Sequence, residues 1–193
     1  MQVAAVILAA GSSTRFGSPK QLAMIAGRTM LEAVCEIARR ASLDPVIAVV
    51  PPGLAVPSDV VPELNDAPQE GLSRSLRMGL AAVPAEVGGA LVLLGDQPTL
   101  LVATIRAILD APRGERTVIA ASAEGRIGPP VLLLRAAFAV AHGATGDEGL
   151  RSILARRPEL VTTVEVGEHA PDVDTADDLA ALADIRGRRS DVG

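Results

Sequence analysis

Val3-Ala4-Ala5-Val6-Ile7-Leu8-Ala9-Ala10-Gly11-Ser12-Ser13-Thr14-Arg15-Phe16-Gly17-Ser18-Pro19-Lys20 opens on an apolar run, Val3 to Ala9, that ends at a glycine and two serines. A run of this length bounded by Gly and Ser reads as a strand buried on both faces, the kind that parallel sheets use. The loop behind it has a second property. Its glycines let backbone N–H groups turn toward an anion, and Arg15 and Lys20 add full positive charge at the same place. No Asp or Glu precedes Glu32, although the chain carries a net charge of -5. That asymmetry suits a triphosphate; the alternative is an ordinary strand-to-helix loop with solvated Arg and Lys. The loop is neither Gly-x-x-x-x-Gly-Lys-Ser/Thr nor Gly-x-Gly-x-x-Gly, so neither a P-loop nor a dinucleotide fingerprint is present.

Outward from this stretch, apolar runs alternate with amphipathic ones. Thr29 is placed to cap a helix from Met30 to about Arg40, with Leu31, Val34, Cys35 and Ala38 on one side. Val46 to Val50 and Val60 to Leu64 read as strands. Ser73 to Ala82 reads as a helix with Leu72, Leu76 and Leu80 four apart. Gly89 to Leu94 is the strongest central strand, followed by a helix over Leu101–Leu109 and strands over Val118–Ala121 and Val131–Leu134. Helices are expected from Arg135, over Asp147–Ala155 and over Ala176–Ala183, with a strand over Val161–Val166 before the last. The expected fold is a single three-layer α/β/α domain over residues 1–185, with a mostly parallel Rossmann-like sheet and helices on both faces. A polar tail follows over residues 186–193.

Composition removes several classes of function. Hydrophobic residues make up 49% of the 193 but aromatics only 1%, so the core is aliphatic and no aromatic platform for single-stranded nucleic acid exists. The acidic balance argues against broad electrostatic binding of DNA or RNA. One cysteine, Cys35, excludes an internal disulfide and a cysteine-rich zinc site. The start carries no basic n-region with a long apolar core, and no run approaches the length of a membrane span. The chain therefore reads as soluble and cytoplasmic, with neither nucleic acid nor membrane as a partner; oligomeric state is not legible.

One carboxylate stands out by position, and an Asp-rich segment follows later in the sequence. Asp96 lies just past the carboxyl end of the Gly89–Leu94 strand, where open α/β sheets place ligands. By itself it could equally be a turn residue or a helix cap. Asp174 lies in Asp172-Val173-Asp174-Thr175-Ala176-Asp177-Asp178-Leu179, where Thr175 and Asp178 are spaced as a capping-box-like helix start. Asp172 competes with Asp174 for any metal role. Ser73 and Ser75 fall in a helix N-terminal turn and can offer hydrogen bonds to a base edge or phosphate, or serve only as caps. His142 and His169, the only histidines, lie outside all of these segments.

These segments together resemble the MobA-like NTP transferases. Leu8-Ala9-Ala10-Gly11-x-Ser13-x-Arg15-Phe16-Gly17-x-x-Lys20 is similar to their signature, and most similar to that of the molybdenum cofactor cytidylyltransferases. The guanylyl relatives usually read Leu-Ala-Gly-Gly where this chain has Ala10. Asn65 to Gly79, Gly95-Asp96-x-Pro98, Gly128-Pro129-Pro130-Val131, Thr145 to Arg151 and Asp172 to Leu179 resemble later motifs in the order the family has them. The chain departs from them in lacking an aromatic near Ala67, in Pro129 where relatives often carry a polar residue, and in Ala176 for proline.

The resemblance implies nucleotide binding by Leu8, Ala9, Ala10, Gly11, Ser13, Arg15, Lys20, Asn65, Gly71, Ser73 and Ser75, and catalysis by Lys20, Arg15 and Asp96. It implies Mg²⁺ held by Asp96 and Asp174. The implied reaction moves CMP from CTP onto a phosphorylated small molecule, molybdenum-molybdopterin, with a molybdenum-enzyme apoprotein as a further partner. A phosphate monoester has a second pKa of about 6 and is already an anionic nucleophile near neutral pH, so no general base is required. The alternatives are a nucleotide-binding maturation protein for molybdenum enzymes and a sugar- or polyol-phosphate nucleotidyltransferase.

Overall fold

The apolar run of Val3 to Ala10 divides its side chains between two cores, and that division organises the molecule. Val3, Ala5, Ile7 and Ala9 join one buried cluster, while Ala4, Val6, Leu8 and Ala10 join another. Successive residues of a strand point to opposite faces, so a strand apolar at every position must be covered on both. The computed structural model describes residues 1–11, 20–146, 149–175 and 177–182.

In chain order the elements are β1 (Val3–Leu8), a hairpin of β2 (Met24–Ile25) and β3 (Arg28–Thr29), α1 (Met30–Arg40), β4 (Val46–Val50), β5 (Val61–Leu64), α2 (Leu72–Ala81), β6 (Gly89–Leu94), α3 (Val102–Asp110), β7 (Val118–Ala123), β8 (Arg126–Leu134), α4 (Leu150–Ala155) and β9 (Val161–Glu165). Helix resumes at 177–182. Seven strands form one sheet in the order β5-β4-β1-β6-β8-β7-β9. β8 alone runs against its neighbours, antiparallel to both β6 and β7; the other pairings are parallel. α1 and α3 cover one face through Leu31, Val34, Ile105 and Ile108. α2 and α4 cover the other through Leu76, Leu80, Leu150 and Leu154. The α/β/α sandwich with a mostly parallel sheet is thus as the sequence implies. Among the described residues no helix is long and apolar enough to cross a membrane.

α1 starts where its cap predicts. Thr29 Oγ1 accepts from the Glu32 N–H at 3.2 Å and Glu32 Oε2 accepts from the Thr29 N–H at 2.6 Å, a complete capping box. Three elements differ from expectation. The segment from Arg135 is a 3-10 helix, Arg135–Gly143, rather than an α-helix. β8 reaches back to Arg126, past Pro129 and Pro130. Its register with β7 shifts so that Val131 faces Ala120 and Gly128 faces Ala121. The two prolines, with no N–H to give a ladder, fall in that irregularity. The β2–β3 hairpin is an addition, turning at Ala26 and Gly27, both at positive φ. α4 begins at Leu150; Asp147 and Glu148, expected to open it, lie outside the described residues, as do Ala176 and residues 183–193 with the polar tail.

Candidate active site

The carboxyl ends of β1 and β6 are neighbours in the sheet, Leu8 facing Leu94. The chain leaving each strand therefore meets the other. Gly95 makes this approach possible: its N–H donates to Leu8 O at 2.9 Å, and a Cβ there would lie 2.7 Å from the Ala9 Cβ. Any larger residue would push the Asp96 loop off β1. A cleft of about 300 Å³ opens over this junction. The backbone from Leu8 to Gly11 forms one wall, Leu94 to Asp96 a second, and Pro68, Gly71, Leu72 and Ser75 a third, with Lys20 and Gln21 at its edge. Gly71, at φ 89°, turns the chain into the first turn of α2 beside the cleft.

Three residues that the sequence singled out meet here. Lys20 Nζ donates to Asp96 Oδ2 and to Asp174 Oδ1, each at 2.8 Å. Burial alone would lower the Lys20 pKa; hydrogen bonds and charge from Asp174 and Asp96 outweigh it and hold the value above the ordinary one. The ammonium is therefore charged throughout the neutral range. Asp174 is presented by the capping box expected around it. Asp178 Oδ2 accepts from the Asp174 and Thr175 N–H groups at 3.0 and 2.8 Å, and Thr175 Oγ1 accepts from the Asp178 N–H at 3.2 Å. Hydrogen bonding to the carboxylate by the Thr175 side chain first, and then by the Asp174 and Thr175 N–H groups, holds the Asp178 carboxyl below its usual range.

The donor set suits a hard divalent cation. Two carboxylates already converge on one cationic nitrogen, and Asp96 Oδ1 is buried with no hydrogen-bond partner among the described residues. Among the described residues no group of three or more His, Cys, Asp or Glu completes an all-protein cage. That matches Mg²⁺ or Mn²⁺ chemistry, in which one or two carboxylates share the ion with substrate phosphates and water.

The remaining expected nucleotide contacts separate into two groups. Leu8, Ala9, Ala10, Gly11, Gly71 and Ser75 line the cleft. Asn65 is fully buried behind it: Nδ2 donates to Ser75 Oγ at 2.9 Å, and Oδ1 accepts from Ala67 N and Arg74 Nε. Ser73 is also buried, 1% exposed, with its N–H donating to Gly146 O, and is not part of the cleft wall. Asn65 thus braces Ser75 from within, and Ser73 faces the loop before α4. Ser13 and Arg15 lie outside the described residues.

Sequence reasoning passed over two amides. Gln21 Nε2 donates to Ala9 O at 2.8 Å and Gly11 O at 3.1 Å, tying the far end of the Gly-rich loop to its start. Gln97 Nε2 donates to Asp172 Oδ1 at 2.9 Å and Ala170 O at 3.2 Å. Both adjoin residues that were singled out, Lys20 and Asp96, and adjacency was the one signal available for them.

Comparison with known proteins agrees with this geometry. The chain is similar to nicotine blue oxidoreductase of Paenarthrobacter nicotinovorans, 29% identical over 93% of this chain and 96% of that protein. It is 35% identical to 2-C-methyl-D-erythritol 4-phosphate cytidylyltransferase of Streptomyces coelicolor, over 58% of this chain and 46% of that one. It also matches the longer bifunctional GlmU proteins; it spans 30% of the one from Staphylococcus saprophyticus, at 27% identity over 66% of its own length. Among solved structures, Rv0371C of Mycobacterium tuberculosis in complex with manganese superposes with a TM-score of 0.76 at 29% identity, over 95% of this chain and 98% of that one. The MobA-like NTP transferase domain model matches residues 5–161, a span that takes in β1, the Gly-rich loop, Lys20 and Asp96. With the cleft at the β1–β6 junction and the motifs in order around it, the chain belongs to the MobA-like NTP transferase family.

Proposed function

We propose that this chain is a Mg²⁺-dependent cytidylyltransferase that moves CMP from CTP onto a phosphorylated acceptor, molybdenum-molybdopterin, releasing pyrophosphate. The observation that carries the proposal is the meeting of Lys20, Asp96 and Asp174 at the rim of a cleft walled by the Gly-rich backbone. These three residues come from distant parts of the chain, and a merely structural ion pair would not require the cleft beside it. Two further facts support it. The cytidylyltransferase of Streptomyces coelicolor is a relative, and the structurally similar Rv0371C has been solved with manganese.

In this reading the loop N–H groups and Lys20 hold the triphosphate, and Ser75, braced by Asn65, faces the base. A divalent ion on Asp96 and Asp174 supplies charge neutralisation at the reacting phosphate and the leaving pyrophosphate. Lys20 adds a fixed positive charge at the same point. The acceptor phosphate is its own nucleophile, which accords with a cleft that, among the described residues, is lined by no histidine, cysteine or tyrosine. Catalysis then consists of holding two anions in line and offsetting their charge. The recipient of the product would be a molybdenum-enzyme apoprotein.

The near-full-length match to nicotine blue oxidoreductase favours a second reading, an oxidoreductase built on the same domain. One experiment separates them. Purified protein is incubated with Mg²⁺, molybdenum-molybdopterin and either CTP or GTP, and pyrophosphate is measured. Release that depends on acceptor and metal and is faster with CTP supports the cytidylyltransferase. No release with either NTP removes the molybdenum cofactor cytidylyltransferase and leaves an oxidoreductase, a nucleotide-binding maturation protein or a nucleotidyltransferase of a sugar or polyol phosphate.

A further inference from the structure

The segment carrying Asp174 is fastened to the loop carrying Asp96 by three hydrogen bonds that involve neither of those carboxylates. Val173 N–H donates to Asp96 O at 2.9 Å. Gln97 Nε2 donates to Ala170 O at 3.2 Å and to Asp172 Oδ1 at 2.9 Å. Gln97 is 4% exposed and Val173 is fully buried, so the Gln97 side of this seam is packed, with the Asp172 carboxylate at its exposed edge. Asp172 and Asp174, two apart in a segment without helix, could both have reached the cation position. Instead the Asp174 carboxylate points to Lys20 and the Asp172 carboxylate to Gln97.

From this we infer that Gln97 and Asp172 form a clamp that sets the distance between the two metal-binding carboxylates, with Asp172 a positioning residue rather than a ligand. The inference rests on the metal reading of Asp96 and Asp174. The Asp178 cap and Lys20 orient Asp174, but among the described residues no third His, Cys, Asp or Glu joins the pair to lock the separation of the two carboxylates. Removing partners that orient ligands typically weakens metal affinity by about 10- to 100-fold.

The test uses Mn²⁺ alone, titrated into the full chain and followed by electron paramagnetic resonance. Gln97→Leu, similar in size and without donors, is expected to weaken Mn²⁺ binding by about 10- to 100-fold. Asp172→Ala should weaken it comparably, whereas Asp172→Asn keeps an acceptor oxygen for Gln97 and should stay within about fivefold of wild type. Asp174→Asn, which removes a ligand, sets the scale of full loss. Should Gln97→Leu fail to fold, the contrast between Asp172→Ala and Asp172→Asn decides alone, because Asp172 is exposed and its replacement leaves the core intact. Unchanged affinity in a folded Gln97→Leu, or loss in Asp172→Asn as large as in Asp174→Asn, would overturn the clamp. A wild-type protein that binds no Mn²⁺ would overturn the metal reading and the clamp with it.

Discussion

Lys20 Nζ lies 2.8 Å from Asp174 Oδ1, across 154 residues of chain, and the same nitrogen lies 2.8 Å from Asp96 Oδ2. One ammonium therefore stands between two carboxylates that would otherwise repel each other across the cleft rim. It offsets their charge as a divalent ion would, and it is the group that such an ion would have to share them with.

Lys20→Ala should accordingly separate two functions. Loss of the fixed charge on the phosphates should lower nucleotide transfer by at least about a hundredfold, the scale seen when one charge-stabilising donor is removed. Binding of Mn²⁺ alone should be no weaker than in the wild type, since a competitor for the carboxylates has gone. Pyrophosphate release and a Mn²⁺ titration check the two halves. Transfer at the wild-type rate would remove Lys20 from the mechanism.

Cys35 gives a prediction away from the site. Burial on the inner face of α1 pushes its thiol up to about 12. A thiol reagent at neutral pH should therefore leave the folded protein unlabelled and label it only once it is unfolded. The folded-state pKa is raised above the ordinary 9.0, so the neutral thiol's contribution to stability is complete below that value. It is lost as pH rises from there through about 12. Chemical unfolding midpoints measured across that range should fall more steeply for the wild type than for Cys35→Ala. Rapid labelling of the native protein at neutral pH would contradict the burial.

In the proposed cytidylyl reading base selectivity would turn on Ala10, which lines the cleft while packing into the core under α2. Its methyl takes space that the guanylyl-type loop leaves open with glycine, and overpacking of this kind costs about 1–3 kcal/mol, or roughly tenfold to a hundredfold. CTP should bind more tightly than GTP, and Ala10→Gly should narrow the gap by improving GTP. Calorimetry with both nucleotides and both proteins measures it; equal affinities in the unmodified chain would remove the cytidylyl assignment while leaving the family untouched.

How far the sequence carried these conclusions depends on the kind of signal each element offers. β1 was legible because burial on both faces leaves a run with no polar position, and α1 because Thr29 and Glu32 have the spacing of a capping box. The reversed direction of β8 was not. It follows from a hairpin turn at Glu124-Gly125, both at positive φ, and two prolines made the strand read as starting after them. In the site, Lys20, Asp96 and Asp174 were legible through the family resemblance, since each alone fits an ordinary loop or turn; that their side chains meet is seen only in the fold. Gln21 and Gln97 did not, because an uncharged amide is read as surface until its partners are known. Asn65 and Ser73, polar residues in a matching motif that the resemblance assigns to the nucleotide, are buried in the fold, and neither their burial nor the Asn65 bond to Ser75 was legible beforehand.

The central claim is that Asp96 holds a metal ion for a nucleotide in this cleft. The most direct measurement is a calorimetric titration of CTP into the wild type and Asp96→Asn, each with Mg²⁺ and with a chelator. Asn keeps the size and the hydrogen bonding of Asp but not the charge, so the Gly95 approach and the sheet below are unaffected. Saturable CTP binding to the wild type that requires Mg²⁺, and loses at least about tenfold in Asp96→Asn, is the predicted result. CTP binding of equal strength in both proteins, or binding indifferent to the chelator, would contradict it.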